Sequence, residues 1–136
     1  MDTPSTPGHY KIILVDDDKF LIDLYSTKFS SQGYEVHAVQ SVNAALDLLH
    51  GGMVPDAIVT DLVMPERTGF SLFEALRDEK LAPSAVRIAL TNESDDTERK
   101  RAEDLGANRY IVKATMIPSE VVAAVTETIA KYQQLK

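Results

Sequence analysis

Five short apolar runs punctuate the chain at intervals of 20 to 30 residues: 12–15, 34–39, 57–60, 86–90 and 110–112. Each is rich in Val, Ile, Leu, Ala or Tyr, with Glu35, His37, Thr60 and Arg87 as the exceptions, and gives way to polar residues, which predicts a β-strand. Between the runs the apolar spacing changes to a helical one. Val42, Ala45, Leu46 and Leu49 stand at i, i+3, i+4 and i+7, with Ser41 placed as an N-cap and Gly51-Gly52 as the stop. Phe20, Leu21, Leu24 and Tyr25 form a stripe before Gly33, and Leu72, Phe73 and Leu76 form a shorter one after Gly69. A last helix starts at Pro118 or Ser119 and is expected to bury Val121, Val122, Val125, Ile129 and Tyr132. The segment 95–105 has Asp95 as N-cap and Glu98 three residues on, but only Ala102 and Leu105 as core contacts. So little apolar area makes it among the easiest elements to shift. Four of the five strand runs are almost wholly apolar, as suits strands covered on both faces of a parallel sheet. Five β-α units then predict a three-layer α/β sandwich with a five-stranded parallel sheet.

Composition narrows the classes of function. A chain of 136 residues accommodates one ordinary domain and can bury roughly two-thirds of its unfolded surface. Residues 1–9 hold two of the six prolines and show no periodicity, so they are expected to be a flexible leader, with the domain over 10–136. With 14 Lys+Arg against 21 Asp+Glu the net charge is −7, the wrong sign for a protein that binds nucleic acid by neutralising phosphates. Absence of cysteine removes disulfides, thiolate zinc sites and cysteine nucleophiles. The longest apolar run, 121–125, is far too short to span a membrane, and no basic-then-apolar signal opens the chain. A soluble cytoplasmic domain is expected.

In an open parallel sheet the site lies beyond the carboxyl ends of the strands. The residues just past each run are therefore informative: Asp16, Asp17 and Asp18 after the first, Asp61 after the third, Thr91 after the fourth and Lys113 after the fifth. Two carboxylates about 4 Å apart repel by roughly 4 kcal/mol at an effective dielectric near 20. Asp16, Asp17 and Asp61 thus call for a cation, and an all-oxygen set favours Mg2+ over zinc. Singly, each residue has an ordinary reading: Asp18 a helix cap, Asp61 a turn, Thr91 a strand end, Lys113 a surface lysine. Their joint placement at strand ends tips the balance. His9, His37 and His50 lack ligand spacing, Arg99, Lys100 and Arg101 sit among acids as a solvated helix face, and no glycine-rich phosphate loop is present.

With Ile-Ile-Leu-Val-Asp-Asp-Asp at 12–18, Thr-Asp-Leu-Val-Met-Pro-Glu-Arg-Thr-Gly at 60–69, Ala-Leu-Thr at 89–91 and Tyr-Ile-Val-Lys at 110–113, the chain from Tyr10 to about Gln134 resembles a response-regulator receiver domain of two-component signalling. The resemblance implies a flavodoxin-like sheet of order 2-1-3-4-5 flanked by five helices. It implies Asp61 as phosphoacceptor, and Mg2+ held by Asp17 and Asp61 directly, by Asp16 largely through water and by the Val63 backbone carbonyl. Lys113 matches the lysine that pairs with the phosphoryl group, Thr91 the switch hydroxyl and Tyr110 the rotameric aromatic. Implied partners are a histidine kinase or histidine phosphotransfer protein upstream and a protein that reads the face of the fourth helix, fifth strand and fifth helix. The implied role is a phosphoacceptor switch, not an enzyme in its own right, although it assists its own phosphorylation and dephosphorylation.

Three positions depart from the family pattern. Ala114 follows Lys113 where a cis proline is usual, so a trans bond is expected, because a cis bond before alanine costs about 2.5–4 kcal/mol. Asn92 follows Thr91 where Ala or Gly is common, and Thr68 replaces the usual Asp before Gly69. Asn92 and Val63 are expected to flank the path of attacking water and so to set phosphoryl lifetime. Two rival functions fit the sequence less well. A haloacid-dehalogenase-type phosphatase would use Asp16-x-Asp18, but Phe20 stands where Thr or Val belongs, the later acidic pair precedes Lys113, and no cap has room. A pseudo-receiver that only binds proteins is disfavoured because every phosphorylation residue is present.

Overall fold

The computed structural model describes residues 9–133; apart from His9, the expected 1–9 leader lies outside the described residues. The elements alternate as β1 (Lys11–Val15), α1 (Lys19–Ser31), β2 (Glu35–Val39), α2 (Val42–His50), β3 (Ala57–Asp61), α3 (Gly69–Asp78), β4 (Val86–Thr91), α4 (Asp96–Asp104), β5 (Arg109–Val112), a 3-10 turn (Lys113–Thr115) and α5 (Pro118–Gln133). All strand pairs are parallel, in the order β2-β1-β3-β4-β5.

Strand alternation divides the core in two. Ile12, Leu14, Val59, Ile88, Leu90 and Ile111 face α1 and α5, where they meet Ile22, Tyr25, Phe29, Val121, Val125 and Ile129. Ile13, Val15, Ile58 and Ala89 face α2, α3 and α4. The central strands β1, β3 and β4 are buried on both faces, whereas β2 at the sheet's edge is not, which explains why its sequence is the least uniformly apolar.

Side-chain caps set the helix starts. The N–H groups of Leu21, Ala44, Ser71 and Glu98 donate to Asp18, Ser41, Thr68 and Asp95 at 3.2, 3.1, 3.3 and 2.9 Å. Gly51 closes α2, as its position suggested. The stripe predicted for α1 needs correction: its buried face is Ile22, Tyr25 and Phe29, while Phe20 is 74% and Leu24 42% exposed. Phe20 is only the second residue of the helix, which starts at the sheet's carboxyl edge, and its ring is left to solvent. As expected, α4 is poorly anchored; Ala102 is its one buried residue, against six in α5.

Candidate functional site

The carboxyl edge of the sheet gathers the chemistry. The chain reverses its crossover direction between β1 and β3, which are neighbours, so Asp16 and Asp61 emerge side by side. The β1–β2 ladder runs one residue further through the Asp16 N–H, which donates to the Val39 carbonyl at 3.2 Å, and this draws Asp16 to complete burial. Asp16 Oδ1 accepts the Asp18 N–H at 2.9 Å, making the turn that starts α1. Asp61 Oδ1 accepts the Val63 N–H at 3.1 Å.

Lys113, first residue of the turn after β5, reaches across the edge. Its Nζ lies 2.7 Å from Asp16 Oδ2 and 3.0 Å from Asp61 Oδ2, and all three side chains are nearly sealed from solvent. Burial pushes the Asp61 carboxyl above its ordinary value, and the adjacent ammonium only partly opposes this. For Lys113 burial acts downward, but hydrogen bonds and charge from Asp16 and Asp61 outweigh it and raise the ammonium above its usual range. One cation therefore serves two buried carboxylates, and Asp17 adds a third acidic group from the exposed side. One carboxylate oxygen from each of Asp16, Asp17 and Asp61 can be chosen so that all lie within 4.8 Å of one another. Three carboxylates against one ammonium leave a formal charge of −2, and the donors are all oxygen. That set fits a hard divalent cation. Both oxygens of Asp16 and of Asp61 already have protein partners, whereas Asp17 is exposed and is the freest donor of the three.

A hollow of about 360 Å³ opens beside Asp61, lined by Asp61, Val63, Thr91, Asn92, Glu93 and Asp95 among others. Thr91 is buried at the end of β4, while Val63 is 65% exposed on the rim. Tyr110 is half-buried in β5, and its hydroxyl donates to the Glu93 carbonyl in a long 3.3 Å contact. All the residues singled out from the sequence thus fall on one edge of the molecule, with Tyr110 set back along β5. The Lys113–Ala114 bond is trans, as expected from alanine, since there is no cis peptide among the described residues, and the lysine reaches Asp61 without a cis-proline turn.

Sequence reasoning missed two features. Gly69 packs directly on the backbone of the Asp61 segment: a Cβ there would sit 2.3 Å from the Asp61 carbonyl oxygen. The signal was available, since a glycine at the first helical position eight residues after the aspartate has no capping role to explain it. The basic triplet is exposed, as read from the sequence, but two of its members also have ring partners that the sequence did not reveal. Arg99 lies over the Tyr110 ring at 5.0 Å and Arg101 over Phe70 at 4.1 Å, while Lys100 meets Asp104 at 3.9 Å. No spacing rule could have found those stacks, because the rings come from other elements.

Among known proteins, the family model for the response regulator receiver domain matches residues 12–126. The chain is 30% identical over 124 residues to the regulatory protein VanRc of Enterococcus gallinarum, covering 91% of this chain and 52% of that protein. It is also 30% identical over 120 residues to the response regulator SaeR of Staphylococcus epidermidis, covering 88% and 50%. The chain thus spans about half the length of the curated relatives it matches. Among solved structures, the receiver domain of Francisella response regulator 1452 superposes with a TM-score of 0.80 at 25% identity, over 94% of this chain and all of that one. The BeF3-activated DrrB receiver domain gives 0.75 at 25% identity, over 90% and 98%. A CheY-like receiver from Methanospirillum hungatei, at 20% identity and 0.84, shares the fold. With the sheet order, the acidic edge and a family match over nearly its whole length, this chain belongs to the response-regulator receiver domains of two-component signalling.

Proposed function

We propose that Asp61 accepts a phosphoryl group from a phosphohistidine on a histidine kinase or histidine phosphotransfer protein. The observation that carries this reading is the ion triad: Asp61 is joined to Asp16 through the Lys113 ammonium at the mouth of an open hollow. Ionised Asp61 needs no general base. Its oxygen forms the O–P bond as the P–N bond breaks, and the electron pair leaves with the imidazole, which takes up a proton. Lys113 keeps Asp16 while shifting its second hydrogen bond from Asp61 to a phosphoryl oxygen, so the new charge meets an ammonium already in position. Mg2+ held by Asp17, Asp61, the Val63 carbonyl and, through water, Asp16 would supply the remaining positive charge against the phosphoryl oxygens. Thr91 is then drawn toward the phosphoryl group, and Tyr110 turns into the space it leaves.

The proposed output is a change in the face made by α4, β5 and α5, read by a partner protein. Val63 and Asn92, on the rim of the hollow, are proposed to govern water's access and hence phosphoryl lifetime. Among the described residues no helix is long and apolar enough to cross a membrane, and a cytoplasmic location is proposed on the strength of the phosphohistidine donor. The phosphatase alternative would need Asp16 as nucleophile, but that residue is wholly buried, and of the two it is Asp61 that lines the open hollow. The direct test is intact-mass analysis after incubation with Mg2+ and acetyl phosphate. One phosphoryl group is expected on the wild type and none on Asp61→Asn; a modification that persists in Asp61→Asn, or none in either, overturns the assignment.

A further inference from the structure

The amino end of the sheet, opposite Asp61, carries a second hollow that none of the chemistry above uses. It holds about 710 Å³ and is bounded by the end of α3 and the loop after it, the start of β4, the α4–β5 loop and Tyr132 of α5. Ligand sites run to about 300–1,000 Å³. The hollow's charge opposes that of the chain: Arg77, Lys80 and Arg87 line it against one acid, Asp104, in a protein of net charge −7. Arg77 is paired with Asp78 at 2.9 Å, and Asp104 approaches Lys100 at 3.9 Å. Lys80 and Arg87 have no carboxylate partner among the described residues.

Arg87 stands where a strand residue would ordinarily be apolar. It is half-buried between the buried Val86 and Ile88, and two residues before Ala89, so it projects toward the α2–α3–α4 layer. Its Nη1 donates to the Ala85 carbonyl at 2.7 Å and its Nη2 to the Leu81 carbonyl at 3.1 Å. Two neutral carbonyls occupy two of the five guanidinium N–H groups and leave the charge unanswered. Burial pushes the guanidinium below its usual range, with no acid opposing the shift, although buried charges are normally paired. Asn108 adds a donor beside it. Its Oδ1 accepts the Arg87 backbone N–H at 2.7 Å, which fixes the amide and leaves its NH2 without a partner among the described residues.

The loop that meets Arg87 is strained. Lys80 and Ala82 have φ of 54° and 44°, the left-handed region that residues with a side chain seldom adopt. They bracket Leu81, whose carbonyl takes the guanidinium. Lys80 stands one residue beyond Glu79, the C-cap of α3, where glycine is the common choice. A lysine there sets a cation on the hollow at a conformational cost, and strain held in this way marks functional positions.

We infer that this hollow binds a compact phosphate-bearing small molecule, with Arg87 as its anchor and Lys80 and Asn108 as further donors. The planar guanidinium fork matches phosphate oxygens. Three donors on separate elements suit the tetrahedral spread of a phosphate better than the plane of one carboxylate. The site lies at the far end of the strands from Asp61 and stands without the phosphoacceptor reading.

The test is a 1H–15N NMR titration of the full chain, without Mg2+ and at fixed ionic strength. Inorganic phosphate, pyrophosphate and ADP form separate arms, with citrate as the carboxylate comparison. The Arg87 Nε–H resonance, assigned by its loss in Arg87→Lys, and the Gly106 and Asn108 amides are expected to shift together and saturate. The tightest phosphate probe then names the source, free phosphate or a phosphorylated metabolite. Arg87→Met should weaken binding about 10- to 100-fold, the weight of the charge-assisted hydrogen bonds it deletes. Lys80→Gly, which keeps the test if Arg87→Met does not fold, should weaken binding about two- to five-fold while raising Tm, because glycine takes the left-handed conformation without strain. Lys19→Gln, which removes the same charge from an exposed pair with Asp23, and Asp61→Asn should both match the wild type. The site is overturned if no phosphate probe gives a saturable shift, or if citrate binds as tightly. It is also overturned if Lys80→Gly gains Tm with no loss of binding, or if Lys19→Gln or Asp61→Asn weakens binding as much as Arg87→Met.

Discussion

Gly69→Ala adds one methyl group at a point where there is no space for it. The added Cβ would lie 2.3 Å from the Asp61 carbonyl oxygen, 3.0 Å from Leu62 Cα and 3.1 Å from the Asp61 carbonyl carbon. Non-bonded C···O contacts settle at about 3.3–3.6 Å, so α3 and the end of β3 must separate by roughly 1 Å. All three obstructing atoms are backbone, and none can rotate aside. Overpacking of this kind costs about 1–3 kcal/mol. The separation also stretches the bond from the Gly69 N–H to the Leu62 carbonyl, now 3.1 Å, which is worth about 1 kcal/mol. A loss of about 3 kcal/mol is expected, lowering Tm by roughly 10 °C. Because the displaced strand end carries Asp61, phosphorylation should suffer as well; misplacing a reacting group by about 1 Å can cost on the order of 100-fold in rate. Urea unfolding followed by circular dichroism gives the first quantity, and the initial rate with acetyl phosphate gives the second. Thr68→Ala is the control in the same turn: it deletes the cap on Ser71 N–H for about 1 kcal/mol and should leave the rate near wild type. Wild-type stability in Gly69→Ala would refute the steric reasoning, and lost stability with an unchanged rate would refute the link to Asp61.

Lys113→Ala leaves Asp16 and Asp61 buried without their cation. A loss on the order of 3 kcal/mol is expected in Mg2+-free buffer, partly recovered by millimolar Mg2+, so thermal melts with and without the ion should diverge more for the variant than for the wild type. Asn92→Ala and Val63→Asn should change the decay rate of phosphorylated protein, measured by loss of the acyl phosphate; unchanged decay in both removes their proposed role. Burial pushes the Tyr34 phenol up to about 12 from 10.0. Thr126 Oγ1 donates to the Val122 carbonyl at 2.9 Å, so Tyr34 is the donor in its 2.6 Å bond to Thr126. The folded state then keeps a proton that the unfolded chain loses above pH 10. Stability from this source is complete below that pH and declines as pH rises toward 12, so urea midpoints should fall less steeply over that range in Tyr34→Phe. Finally, amide hydrogens of α4 should exchange sooner than those of α3 and α5; equal protection would contradict the weak anchoring inferred from Ala102.

The fold was legible because local and tertiary signals agree. Ser41, Asp18 and Asp95 cap the helices they precede, and the strand runs that read as apolar on both faces are those that the sheet buries twice. The site was legible for a related reason: parallel topology delivers the first residues past each strand to one edge, so Asp16, Asp61, Thr91 and Lys113 could be gathered without knowing any distance. The hidden part depends on which side chain meets which across elements. The α1 stripe was misread because Phe20 and Leu24 have helical spacing but remain largely exposed outside the core. Similarly, Arg99 and Arg101 are solvated as read, but their ring contacts were hidden because the aromatic partners, Tyr110 and Phe70, come from β5 and α3. The sharing of Lys113 between two aspartates also lies outside any pattern, since it joins positions 97 and 52 residues apart.

That shared ammonium has a mechanical meaning. Strands β1 and β5 are not neighbours, since β3 and β4 lie between them, yet the Lys113–Asp16 bond spans the gap like a strap fastened over the open end of the sheet. Asp61, beneath the middle of the strap, is its second fastening. If a phosphoryl group on Asp61 takes that fastening, tension across the sheet's carboxyl end becomes a function of a single covalent bond, and the stiffness of the molecule there records whether a signal has arrived.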